Sequence, residues 1–198
     1  MKEFMNKPNL LFPTPVWTLT LDNYKEINEK MFNFIKSEQN KDQLGIKKSN
    51  VKGWHSKDFD LKEEDPQNFI AFILPAIEQV MTDMNWDREK QTVKIDNMWA
   101  IINTGGSANL RHQHGNSTIS GAYYVRAPIN CGDIVFYDPR PAPVYFHPIV
   151  STPNSLNTQI NSLTPTEGSL FLFPGYLQHS VNENLSKNKE LLLVLISQ

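Results

Sequence analysis

The sequence predicts a mainly β fold with N-terminal helices, and three observations carry that prediction. Residues 1–92 hold two stretches with apolar residues at helical spacing. From residue 93 to residue 198 the texture turns to short β-rich runs punctuated by Gly, Pro, Asn and Asp, and no helix-length segment intervenes between them. Strands that follow one another in this way close into a sandwich or barrel, not into alternating βαβ units. At 198 residues the length suits one domain, 1–198, whose N-terminal part packs on the β core.

The elements follow in order. Between Asn9 and Leu21, Val16, Thr18 and Thr20 alternate with Trp17, Leu19 and Leu21 behind a proline pair, which predicts an N-terminal strand. Tyr24, Ile27, Met31 and Phe34 then share a helical face, with Asp22 as the expected N-cap. The polar stretch from Lys41 to Lys57 reads as a loop with a short strand near Gly53 and Trp54. Asp65 and Pro66 open a second helix whose stripe is Phe69, Ile73, Ile77, Val80 and Met84. Pro75 falls inside that stripe and deletes a backbone hydrogen bond, so a kink or restart is expected there. Both stripes read as core cover. The runs VKIDNMWAIINTGG, GDIVFYD, TEGSLFLFPG, HSVNEN and ELLLVLIS read as strands, and Pro139 to Pro165 as a long loop of the kind that forms lids or substrate loops.

Composition narrows the function classes. A net charge of −2 leaves no excess of cations for a phosphate backbone, which argues against nucleic acid as a partner. No apolar run approaches the roughly 18 to 20 residues of a membrane span, and LLLVLI is strand-sized. The opening MKEFMNKPNLLFPTPVW is too charged and proline-rich for a secretory signal, and the single cysteine, Cys131, can form no internal disulfide; the expected compartment is a reducing cytoplasm.

The chemistry is concentrated in RHQHGNSTISGAYYV, Arg111 to Val125. Residues two apart on a strand point to the same face, so His112 and His114 project together while Arg111 and Gln113 face away. Such a pair can chelate, although alone it is more often a hydrogen-bonded pair. His179, at the end of the apolar GSLFLFPGYLQ run, supplies a third imidazole from a separate strand. Three nitrogen donors suit Fe(II), Zn(II), Ni(II) or Cu(II), and the spacing does not choose among them.

Three motifs together, HQHGNSTISGAYYV, GDIVFYDPR and GSLFLFPGYLQH, covering most of residues 99–198, give the chain a resemblance to the 2-oxoglutarate- and Fe(II)-dependent oxygenases, in their bacterial and phage branch. The resemblance implies a double-stranded β-helix, the cupin-like jelly-roll, with Fe(II) and 2-oxoglutarate as cofactors and dioxygen as co-substrate. It implies hydroxylation of a peptide or protein side chain or of a small metabolite. The family motif has a carboxylate two residues after its first histidine. Here His114 stands in that place if His112 is the first ligand, and Asn116 if His114 is. The candidate ligands are therefore His112, His114 and His179, with Asp138 as an outside carboxylate. Lys189, ten residues after His179, takes the place of the family's cation for the far carboxylate of the co-substrate, with Lys187 as its alternative; Ser120 and Tyr124 look like hydroxyl donors to the same group. The missing carboxylate keeps a second reading open, a non-redox cupin-like metal-binding module or isomerase. Arg140 is balanced between substrate binding and turn structure, and Asn103 between the site and turn chemistry. His55 and His147, without partners at ligand spacing, read as ordinary loop histidines.

Overall fold

The computed structural model describes residues 8–92, 94–141, 146, 148–187 and 189–197, with the last strand described by its backbone. In chain order the elements are β1 (Trp17–Thr20), α1 (Tyr24–Lys41), β2 (Asn50–Val51), β3 (Trp54–His55), α2 (Glu64–Asp83), β4 (Ile95–Asn103), β5 (Ala108–His112), β6 (Ile119–Arg126), β7 (Ile134–Tyr137), β8 (Ile160–Leu163), β9 (Ser169–Pro174), β10 (His179–Val181) and β11 (Glu190–Ser197). One sheet runs β1-β9-β6-β11-β4-β3 and the other β2-β5-β10-β7-β8. Every described pairing is antiparallel. From β4 to β11 the chain crosses back and forth between the two sheets, and this winding is the double-stranded β-helix.

The parity of β4 and β6 shows why the sequence folds this way. On one face of the six-stranded sheet, Met98, Ala100, Ile102, Tyr123 and Val125 pack against Ile27, Met31, Ile35, Phe69 and Ile73 of the helices. On the other, Trp99, Ile101, Ala122 and Tyr124 meet Ile134, Phe136 and Val181 of the five-stranded sheet. A strand covered on both faces reads as a continuous apolar run, and β6 is buried from Ile119 to Val125. The buried carboxamide of Asn28 ties α1 to β6: it donates to the Val125 carbonyl at 2.9 Å and accepts from the Tyr123 hydroxyl at 2.7 Å.

Three local expectations are corrected. The N-cap of α1 is Asn23, in a left-handed conformation (φ 57°) and without a side-chain cap bond, and not Asp22. The second helix runs unbroken through Pro75, which lies on its exposed face, where water can take the carbonyl that the missing amide leaves over. The stretch 139–165 is not all loop: Ile160–Leu163 forms β8, hydrogen-bonded to β7. Its Ile160, Asn161 and Ser162 are exposed at a sheet edge, so no apolar alternation marks it in the sequence. His147 lies outside the described residues.

Candidate metal centre

His112 is the last residue of β5 and His179 the first of β10, and the strand register sets them directly opposite each other. His114 lies past the end of β5, so the same-face rule reaches it only by extension. Its amide donates to the Gly175 carbonyl at 2.9 Å, and this bond returns its ring to the site. Ring centroids are 5.2 Å apart for His112 and His114, 4.4 Å for His112 and His179, and 5.0 Å for His114 and His179. The three candidate ligand atoms lie within 4.8 Å of one another.

Hydrogen bonding decides which nitrogens are offered. The Nδ1 atoms of His112 and His179 donate to the carbonyls of Leu110 (2.8 Å) and Leu177 (2.9 Å). Carbonyls only accept, so each Nε2 must carry the lone pair. His114 Nδ1 lies 2.7 Å from Ser120 Oγ. Its Nε2 is buried and has no hydrogen-bond partner among the described residues. Burial, reinforced by the neighbouring imidazoles, pushes His114 down to about 3 and His179 to about 4; burial also lowers His112. Three neutral rings, each held by its far nitrogen with the near one bare, are what a borderline divalent cation needs. The donor set fits Fe(II).

The triad opens into a cavity of about 590 Å³. Ile101, Ala122, Ile134 and Val181 form apolar wall, and Trp99 stands edge-on to His114 at 5.7 Å. Lys48 and Arg111 also line it, and no aspartate or glutamate does among the described residues.

The other sequence-derived candidates fall elsewhere. Ser120 is fully buried, but its Oγ is engaged with His114, so it orients a candidate ligand and not a co-substrate carboxylate. Tyr124 is buried edge-on to Phe171 in the core between the sheets and does not line the cavity. Lys189 is exposed and stands against Lys36 of α1, on the helix-covered side of the sheet. Parity accounts for this, because register sets Leu191 and Leu193 opposite Ile102 and Ala100, which belong to that side. Lys187 is exposed and likewise away from the cavity. Asp138 does not reach the histidines as a fourth ligand: Arg140 holds both its oxygens, at 2.9 and 2.7 Å, and keeps its carboxyl below the usual range. That pairing also assigns Arg140 to the turn. Asn103 donates to Asn109 at 2.9 Å, clear of the cavity.

Two cavity residues escaped the sequence reading. His55 is no loop histidine; it is buried in β3, stacked on Trp99 at 5.8 Å, with Nδ1 donating to the Ser56 carbonyl. Lys48 stands over the Trp99 ring at 5.5 Å. Long-range strand pairing places both, and nothing local in the sequence signals it.

The comparisons with known proteins agree with this geometry. A family model described as "Putative 2OG-Fe(II) oxygenase" matches residues 97–192. No curated protein matches the chain. Among solved structures the fold is shared with a prolyl-4-hydroxylase from Pseudomonas putida, at 11% identity and TM-score 0.64, covering 93% of this chain and 92% of that one. It is shared with a viral collagen prolyl hydroxylase from Paramecium bursaria Chlorella virus-1, solved with 2OG, at 13% identity and TM-score 0.59, covering 92% and 94%. A Trichoplax adhaerens prolyl hydroxylase, in complex with a hypoxia inducible factor peptide fragment, matches at 9% identity and TM-score 0.63, covering 92% and 82%. With the winding of β4 to β11 and the three-histidine cluster already in place, the chain is similar over residues 97–192 to the 2-oxoglutarate–Fe(II) oxygenase family and shares the fold of its solved members.

Proposed function

We propose that His112, His114 and His179 hold Fe(II), and that the chain uses it with 2-oxoglutarate and dioxygen to hydroxylate a peptide or protein side chain, or a small metabolite. The observation that carries this reading is the buried, partnerless Nε2 of His114, facing two further imidazoles whose Nδ1 atoms are already committed. When bound, the metal supplies dioxygen activation coupled to loss of CO2 from the 2-oxo acid, one oxygen atom entering succinate and the other the product.

The residues of the chain bind, orient and dry the site. Ser120 Oγ fixes the ring of His114, and the Leu110 and Leu177 carbonyls fix the other two. Ile101, Ala122, Ile134 and Val181 keep water from the reacting centre. Three neutral donors leave the full double charge on the ion, and Lys48 and Arg111 add to it, with no acid in the wall among the described residues. The cavity therefore favours a dianionic co-substrate. The peptide substrate rests on likeness to the Trichoplax protein, whose structure contains a peptide fragment. We read the chain as one domain, the helices of residues 1–92 bracing the core, and place it in the cytoplasm, where its single thiol, Cys131, stays reduced.

Release of labelled succinate and CO2 from 2-oxoglutarate, with Fe(II) and ascorbate present, tests the reading without knowledge of the substrate. Turnover above a metal-free control is expected. Metal bound at one equivalent with no release at any loading would reject it.

A further inference from the structure

The cavity wall holds a pair of polar rings outside the histidine triad. β3 pairs with β4 in a register that sets His55 opposite Ile101 and Trp54 opposite Ile102. Directly opposed side chains share a face of the sheet. Trp54 therefore turns to the helix side with Ile102, and His55 turns inward with Ile101, toward the space between the sheets. His55, Ile101 and Trp99 all line the cavity. Trp99 stands two residues before Ile101 and so on the same face, and its ring lies parallel to that of His55, at an interplanar angle of 9°.

Each ring carries one polar atom without a partner. In His55 the nitrogen nearer the main chain is spent, because Nδ1 bonds the Ser56 carbonyl at 2.6 Å. Burial holds the ring below its ordinary pKa, so it is neutral and its lone pair sits on Nε2. Nε2 is at the end of the ring away from the backbone, and with the ring turned inward that end faces the cavity. No described residue is hydrogen-bonded to it. Trp99 is the converse: its Nε1–H is buried with no hydrogen-bond partner among the described residues. Buried polar atoms are normally paired, so the stack offers a bare acceptor beside a bare donor. Lys48 and Arg111 line the same cavity and no aspartate or glutamate does among the described residues, which disfavours a cationic group there.

We propose that His55 and Trp99 bind the prime substrate through an uncharged group that both donates and accepts a hydrogen bond, an amide or a hydroxyl, with His55 Nε2 accepting and Trp99 Nε1 donating. The oxygenase reading above is needed only to call that ligand the substrate. A protonated lysine or arginine side chain is excluded as the group that enters.

The test titrates metal-free, isotope-labelled protein at neutral pH with small probes and follows the Trp99 indole N–H and the His55 ring nitrogens by NMR. N-methylacetamide is compared with N,N-dimethylacetamide, and propan-2-ol with acetone, since each pair differs by the donor hydrogen; methylammonium is the cation. In at least one pair the donor-bearing member should bind about 2- to 10-fold more tightly, as one neutral hydrogen bond allows, and the pair with the larger difference tells amide from hydroxyl. His55→Phe keeps the stack and should abolish the difference, whereas Trp99→Phe should weaken both members alike. Where His55→Phe fails to fold, the wild-type Nε2 resonance decides, moving with the donor-bearing probe and not with its blocked partner. Equal binding within both pairs, a difference that survives in His55→Phe, methylammonium binding as tightly as the neutral probes, or no shift with any probe would overturn the assignment. Because no metal is present, such a failure leaves succinate release from 2-oxoglutarate untouched, and a failure of that release leaves these titrations unchanged.

Discussion

His114 is the residue at which the site is most easily broken without unfolding the chain. A buried nitrogen without a partner costs about 1–3 kcal/mol, and a shared cation relieves that cost. Alanine at His112, His114 or His179 should therefore lower bound metal, read by elemental analysis after dialysis, while circular dichroism stays that of wild type. Ser120→Ala is the finer probe, because it leaves all three imidazoles and frees one ring. Loss of such a supporting bond commonly weakens metal binding by about 10- to 100-fold, and competition against a chelator would show it; an unchanged affinity would mean that Ser120 does not orient the ligand. The same rings set a pH dependence for the metal-free protein. Their folded-state values, about 3 for His114 and about 4 for His179, lie below the ordinary 6.5. The unfolded chain takes up these protons near pH 6.5, whereas the folded chain resists until the lower values. Stability is therefore intact above pH 6.5 and falls as pH drops through the window from 6.5 to 4. Urea midpoints measured across that range should decline for wild type and decline less for His114→Ala.

At the scale of elements, the join between β9 and the turn carrying His114 is tight enough to test by adding one methyl group. A Cβ on Gly175 would lie 2.1 Å from the Ser117 carbonyl oxygen and 2.9 Å from that of His114. Gly175→Ala must push the turn outward, and the expected result is loss of metal binding together with a lowered melting temperature. In the helix layer, Phe69 is fully buried edge-on to Tyr123, and Phe69→Ala should cost about 3–5 kcal/mol in chemical unfolding while the metal stoichiometry holds. What the sequence made legible divides along these same joins. His112 and His114 are two residues apart, and His179 follows the strongly apolar run of β9, so local patterns pointed to the three residues that the structure brings together. Lys48 and His55 reach the cavity through pairing of β2 with β5 and β3 with β4, across some sixty and fifty residues, and no local pattern records that. Lys189 lies away from the cavity for a different reason: counting ten residues from His179 fixes a distance along the chain but not a face, and a slip of one residue on a strand reverses the face.

For the whole molecule, the three histidines tie the two sheets together at the open end. His112 and His179 belong to paired strands of the five-stranded sheet, whereas His114 is held by Gly175 and Ser120 at the ends of β9 and β6 in the other. On the proposed metal assignment, a cation shared by all three would bridge the two sheets at this end, and it would bind the folded state alone. Ligand present at a hundred times its dissociation constant adds about 2.7 kcal/mol to stability. For a chain of this size that corresponds to a rise of roughly 5–10 °C in melting temperature. Scanning calorimetry with and without Fe(II) under argon should show that rise, and a chelator should reverse it. His114→Ala separates bridging from simple occupancy: if the two remaining imidazoles still bind metal weakly, saturating ion should restore little of the rise, because the link to the six-stranded sheet is gone. A full rise in that variant would place the stabilisation within the five-stranded sheet alone.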